Sequence, residues 1–458
     1  MLFDSFGLLK LKREGFDKVK RYWKLILMVV LVIGLLAACG GDSKEGSSNA
    51  DDEGTDNGVV EEQIGSDDAE VELTFWEFGN TGYDVLIEEY VELNPHVSIK
   101  LLNQDMNDVH DNLFTSVSAG SGAPDIAMIE EGGIERFKAA QDKFYNLYDF
   151  GAADVEGEYL DWVWLNGQSA DNTFQFGLPT DIGPTVMFYR TDVFEEAGFD
   201  SSPEAVSELL STWDDFAEVA QIIKDKTGKL MTDSGELVYN ARRDQATETY
   251  FNAEGEYILE ENAQIREAYD YVVDLIEAEL VGDVPLWTPE WFAGMNEATY
   301  AVFLGPAWIQ GVIKDNSPEE GIWSIVTMPE GAGNWGGSFL TLPAEGEHPE
   351  EAYKFIEWLT APEQQYKAFL GYGLFPSTPA VYDMPEFKSY EDSYFGGINT
   401  AEVFGEAAKA VKPVYKGSAY YPVGDEIYEA LDNIAGGGDR EQEWEDMLMR
   451  VQGIIDRQ

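Results

Sequence analysis

Glu70-Val71-Glu72-Leu73-Thr74-Phe75-Trp76-Glu77-Phe78-Gly79-Asn80 is the stretch on which the class of fold turns. Val71, Leu73 and Phe75 alternate with Glu70, Glu72 and Thr74, which is the two-residue period of a half-buried strand. The following segment, Tyr83–Leu93, places Leu86, Tyr90 and Leu93 on one helical face and is stopped by Asn94-Pro95. Val97, Ile99 and Leu101 then alternate as a second strand. A strand, a helix and a strand in close succession predict a parallel pair joined by a right-handed crossover, hence an α/β fold.

Toward the C-terminus the same signals recur. The run Asp125–Ile129 follows the turn Gly122-Ala123-Pro124 and ends at Glu130-Glu131. Phe174–Leu178 predicts a further strand that leads into Pro179-Thr180-Asp181-Ile182-Gly183-Pro184. Two prolines and a glycine in so short a run exclude helix and predict a connecting segment, after which Thr185–Tyr189 is extended. Thr212 with Asp215 forms a capping-box pattern ahead of the apolar stripe Phe216, Val219, Ala220 and Ile223. Tyr269, Val272 and Ile276 mark a further helix; Pro349 opens another, with Ala352, Phe355, Ile356 and Leu359 as its stripe. The last helix carries Trp444, Met447, Leu448, Val451 and Ile455. The expected class is α/β with two sheets covered by helices, because 458 residues exceed what one hydrophobic core holds.

Toward the N-terminus the character changes. Lys10, Lys12, Arg13, Lys18, Lys20, Arg21 and Lys24 all precede the apolar run Leu25–Leu36. That is the layout of a secretory signal, and the run is short for a membrane span, which needs ~20 residues. It closes on Leu36-Ala37-Ala38-Cys39-Gly40, small residues before the chain's one cysteine, which resembles a bacterial lipobox with Cys39 as the lipidated residue. Residues 40–69 are mostly Gly, Ser, Asp, Glu, Asn and Thr with almost no bulky side chains, and with Cys39 they are expected to form a disordered, lipid-anchored acidic tether, 39–69. The expected location is therefore the extracellular face of the cell membrane.

The formal charge is −58, from 29 basic and 87 acidic side chains. Without residues 1–38 the chain carries 22 basic against 84 acidic groups, or −62, and residues 70–458 alone carry 21 against 74, or −53. Such a body does not neutralise phosphates, so nucleic acid is excluded as a partner. The acidity reads as a solvated surface suited to a saline or alkaline exterior. One cysteine excludes intrachain disulfides, and the scattered His96, His110 and His348 give no metal-ligand spacing, so no metal and no cofactor is expected.

Gly331-Ala332-Gly333-Asn334-Trp335-Gly336 matches a dinucleotide fingerprint by letters and follows a strand-like stretch, Ile322–Met328. The fingerprint requires a helix next, whereas Gly337–Pro343 is extended, so a nucleotide site is rejected. No Walker loop, nucleophile elbow or His-Glu-x-x-His is present. A glycoside-processing enzyme needs only two placed carboxylates, and among so many acids that alternative stays open.

Several side chains gather where ligands bind an open α/β sheet, beyond the carboxyl ends of its strands. Trp76 and Asn80 follow the first strand, and Glu130 and Asp181 follow two others. Gly305-Pro306-Ala307-Trp308 and Asn334-Trp335-Gly336-Gly337-Ser338 set tryptophans beside glycines, where backbone approaches a ligand closely. With Leu73–Gly79, Gly122–Ile129, Gly177–Arg190, Thr212–Phe216 and Gly373-Leu374-Phe375-Pro376-Ser377, these motifs span almost all of residues 70–458. In this order they resemble the extracellular solute-binding lipoproteins (family 1) of carbohydrate ABC importers, the family related to maltodextrin-binding proteins.

The resemblance implies a two-lobe, periplasmic-binding-protein-like (type II) fold with three hinge crossovers, closing over a sugar. Mapped on these motifs, the crossovers fall near Thr180–Pro184, Asn334–Ser338 and Phe375–Thr378. Lobe 1 would hold 70–182 and 337–377, lobe 2 183–336 and 378–458. Trp308 and Trp335 are the expected stacking platforms, with Trp76 as a weaker one. Glu130 and Asp181 are the expected hydroxyl acceptors, Asn80 and the Gly336–Gly337 backbone add polar contacts, and Tyr372 and Phe375 line the rim. Where maltodextrin binders carry a tryptophan after the residue corresponding to Met128, this chain has Ile129, which argues against a maltodextrin ligand. The expected partners are a carbohydrate, the importer's permease subunits and the membrane through the lipid; the protein is expected to be a monomer without enzymatic activity. A cationic peptide or polyamine is the alternative ligand on the same fold, favoured by the negative body.

Overall fold

The computed structural model describes residues 60–457 except 253 and 413. The expected signal segment, the lipidation site Cys39 and the tether up to residue 59 lie outside the described residues. Ten strands are found among the described residues: β1 (Val60–Ile64), β2 (Val71–Phe78), β3 (Val97–Gln104), β4 (Ile126–Glu130), β5 (Gly177–Pro184), β6 (Val186–Arg190), β7 (Val302–Gly305), β8 (Trp323–Thr327), β9 (Asn334–Thr341) and β10 (Phe375–Pro376). Seven form one sheet in the order β1-β3-β2-β4-β9-β5-β10, and three form a second in the order β7-β6-β8.

The β2–helix–β3 unit is parallel, in register from Val71 opposite Val97 to Phe78 opposite Gln104. Its helix, Tyr83–Leu93, buries Tyr83, Leu86, Ile87 and Tyr90. The Tyr83 ring stacks on Phe75 at 6.3 Å. Leu93, expected on the buried face, is exposed. The sheet as a whole is mixed: β9 runs antiparallel to both β4 and β5.

One expectation is corrected and a second is refined. The acidic stretch before residue 70 is not all tether, for Val60–Ile64 pairs antiparallel with β3 along its length and buries Ile64. An edge strand draws its stability from backbone pairing and needs few apolar side chains, which is why composition concealed it. The Pro-Gly segment read as a connection does lead from the larger sheet into β6 of the smaller one, and it does so as a strand, β5, buried at all eight positions. Its prolines stand beside register shifts in the β5–β9 ladder, where a missing N–H removes little pairing.

The chain passes between the sheets through three adjacent strands, β9, β5 and β10. Only Thr185 separates β5 from β6. After β10 the chain packs on the smaller sheet, with Phe404 against Phe188 at 6.1 Å. The helix Trp213–Thr227 begins with the full capping box: Thr212 Oγ1 accepts from the Asp215 N–H at 3.1 Å, and Asp215 accepts from the Thr212 N–H at 3.0 Å. Pro349–Leu359 and Arg440–Ile455 bury the stripes read from their sequence, except that Leu448 and Ile455 are only partly covered. No helix among the described residues is long and apolar enough to cross a membrane.

Candidate ligand-binding site

The edge of the larger sheet where β2, β4 and β5 end and β9 begins gathers the candidate side chains. Ser338 of β9 is flanked by Glu130 of β4 on one side and Asp181 of β5 on the other. Both carboxylates are buried, and burial pushes Glu130 up to about 7 and Asp181 up to about 6. Glu130 Oε2 accepts the Gly132 N–H at 2.7 Å and the Tyr421 hydroxyl, while the Glu130 N–H donates to His110 Nε2 at 3.1 Å. Asp181 accepts the Thr180 hydroxyl at 2.6 Å. It lies inside β5 rather than past its end, since the strand continues to Pro184.

Three residues before Ser338, Trp335 meets Trp308 edge-on, with ring centroids 5.4 Å apart and planes at 67°. Trp308 stands at the start of the helix Ile309–Asn316, and both rings are half-buried. Trp287 lies nearly parallel to Trp308, 5.9 Å away with planes at 21°. Gly336 and Gly337 both take left-handed backbone, φ 92° and 96°. A Cβ on Gly337 would stand 2.7 Å from the Asp181 carbonyl oxygen, so only glycine lets β9 pass β5 at this point.

The remaining expectations divide. Tyr372 is half-buried with its ring against the Gly82 backbone, where a Cβ would overlap it at 1.7 Å. Asn80 is exposed on the rim of a recess of about 210 Å³ bounded also by Glu77, Asp84 and Asn103. Trp76 is within β2, not beyond it, and packs against the core, which leaves it poorly placed as a platform. Phe375 is corrected outright. It is fully buried among Phe369, Tyr382, Phe387 and Phe404 and does not line a rim, because β10 carries it into the sheet.

The sequence reading missed a polar pocket of about 20 Å³ bounded by Glu131, Trp162, Asn166, Asp244, Asn334 and Lys416, among others. Glu131 accepts from Asn166 Nδ2 at 2.9 Å and forms an ion pair with Lys416, both ions being buried. Asp244 is gripped by the Arg243 guanidinium, Nε to Oδ1 at 2.7 Å and Nη2 to Oδ2 at 3.1 Å. Asn334 links this pocket to the tryptophans, accepting from the Gly183 N–H at 2.9 Å and donating to the Gly336 carbonyl at 2.9 Å. Among the described residues no group of three or more His, Cys, Asp or Glu could hold a metal ion. What the site offers is aromatic faces beside fixed acceptors and donors, the complement of a polyhydroxylated ring.

The family model of the bacterial extracellular solute-binding proteins matches residues 86–394, and the chain belongs to that family. An arabinooligosaccharide-binding protein of Halalkalibacterium halodurans is 29% identical over 362 residues, covering 74% of this chain and 79% of its own. A second, of Bacillus subtilis, is 27% identical over 418 residues, covering 85% and 88%. The crystal structure of an extracellular solute-binding protein of family 1 superposes with a TM-score of 0.77 at 32% identity, covering 83% of this chain and 98% of that one.

Proposed function

We propose that this protein is the extracellular substrate-binding subunit of a carbohydrate ABC importer, held to the membrane through Cys39, which captures an oligosaccharide between its lobes and passes it unaltered to the permease. The observation that carries the reading is the edge-on pair Trp308 and Trp335 a few residues along β9 from Ser338, which Glu130 and Asp181 flank. Ring faces cover the C–H faces of a sugar, and carboxylates accept its hydroxyls at ~1.5–3 kcal/mol for each charge-assisted bond. Relatives named for arabinooligosaccharide binding support an oligosaccharide over a monosaccharide. Lobe 1 runs from Val60 to the end of β5, with β9, β10 and the helices between them; lobe 2 is built on β6, β7 and β8, and β5, β9 and β10 are the hinge. Glu130, Asp181, Trp308, Trp335 and the Gly336–Gly337 backbone contact the ligand, with Asn80 and Tyr372 at its edge.

Calorimetry with arabinotriose, lactose and maltotriose tests this. One-to-one binding of at least one sugar near micromolar, about −8 kcal/mol, is expected, with Trp308→Ala weakening it and no new reducing ends appearing. Release of reducing sugar would mark a glycosidase. Spermidine binding with steep salt dependence, and no sugar binding, would mark a receptor for cations. In the same preparations Cys39→Ser should leave the membrane fraction, and its retention there would remove the lipid anchor.

A further inference from the structure

Trp287 is the single Phe, Trp or Tyr side chain that is exposed among the described residues, at 51%. Its backbone is left-handed, φ 66°, a conformation that a bulky residue adopts only where its surroundings impose it. Those surroundings are hydrogen-bonded and packed. Thr288 Oγ1 accepts from the Trp291 N–H and donates to the Pro285 carbonyl, capping the helix Pro289–Glu297. Trp291 beneath is fully buried and anchored by its indole N–H on Asp233 at 2.5 Å, with its ring 5.0 Å from that of Trp287. The fold therefore maintains a strained backbone in order to hold a large apolar ring in water, which packing alone does not explain.

The ring's relation to its neighbours does. The planes lie at 21° with centroids 5.9 Å apart, farther than the ~3.5–4 Å of rings stacked face on face, so the two faces are not fully superposed. Each ring thus keeps part of its face free, and Trp335, Trp308 and Trp287 form a run of steps from the half-buried pair to the exposed ring. We infer that Trp287 is a specificity-determining residue that receives an outer sugar unit, so that the site takes a chain longer than a disaccharide and discriminates by length. This rests on the sugar-receptor reading and extends it.

Trp287→Ala and Trp287→Gly, titrated calorimetrically with arabino- and malto-oligosaccharides of two to five units, test the inference. Both variants should lose roughly ten-fold in affinity for the longer members and stay within about two-fold for the disaccharide. Comparing the unfolding temperatures of the two variants, of which only Trp287→Gly is relieved of the left-handed strain, separates lost contact from lost structure. Equal losses at every length, or none at any, would overturn the role of Trp287 while leaving the receptor reading intact. A wild-type protein that binds lactose but no member of either series would overturn the role of Trp287 alone, and one that binds none of these sugars would overturn both.

Discussion

Lys416 and Glu131 show what a single residue decides in this molecule. Their ion pair is buried on both sides. Burial is the largest single influence on Lys416 and opposes its charge, but Glu131, Asp244 and Glu130 together outweigh it and keep the ammonium ionised. Removing one partner of such a pair leaves an uncompensated buried charge, at about 3–5 kcal/mol. Lys416→Met should therefore lower the urea midpoint markedly, and adding Glu131→Gln should restore a large part of it, since an amide needs no counter-ion. A double variant as unstable as the single one would show that Lys416 acts through packing. None of this was legible in the sequence. Positions 131, 166, 244, 334 and 416 share no local pattern, and Glu131 looked like any other acid of a strongly acidic chain. Glu130 and Asp181 could be picked out, because strand periodicity locates the sheet edge at which they stand.

At the scale of elements, the passage of β5 against β9 carries both the proposed hinge and Trp335. A Cβ on Gly183 would sit 1.8 Å from the Trp335 carbonyl oxygen and 2.5 Å from its carbon, backbone atoms that cannot turn aside. Gly183→Ala must force the strands apart, with a loss of about 1–3 kcal/mol typical of overpacking and a weaker grip on any sugar that Trp335 touches. Gly311, inside the helix Ile309–Asn316, is the control: an added Cβ would meet nothing within 4 Å, and alanine there should add about 0.5–1 kcal/mol. Chemical denaturation of the two variants would compare them directly, and a harmless Gly183→Ala would mean the passage is loose. Helices were the most legible elements, since caps and apolar stripes are local signals. Strands β1 and β5 were not, because one has an acidic composition and the other two prolines, and pairing with distant partners overrode both.

Across the whole molecule, several buried carboxyls titrate high. Burial raises Glu77, Glu130, Asp233 and Glu236 to about 7 and Asp181 to about 6. In the unfolded chain these groups ionise near ~4. As pH rises from there toward 7, the unfolded state loses protons that the folded state keeps, so their contribution to stability falls. His110 opposes this: burial lowers it to about 4, so on acidification from about 6.5 toward 4 the unfolded chain is protonated first. Five groups outweigh one, and repulsion among the surface acids acts in the same direction. The melting temperature should thus be higher near pH 5 than at pH 7.5. A rise between those values would mean that the carboxyls ionise freely in the native state.

Sequence alone determined the α/β class, several capped or striped helices, the two-lobe expectation and the stretches that meet at the sheet edge, because each rests on local periodicity, capping or motif order. Tertiary structure alone decided which side chains share a site. It withdrew Phe375 into the core, drew Val60–Ile64 into the sheet, and brought Trp287, Asp244, Lys416 and Tyr421 to the candidate site. The physical reason is that burial and proximity are set by pairing between segments far apart in the chain, which local pattern does not record.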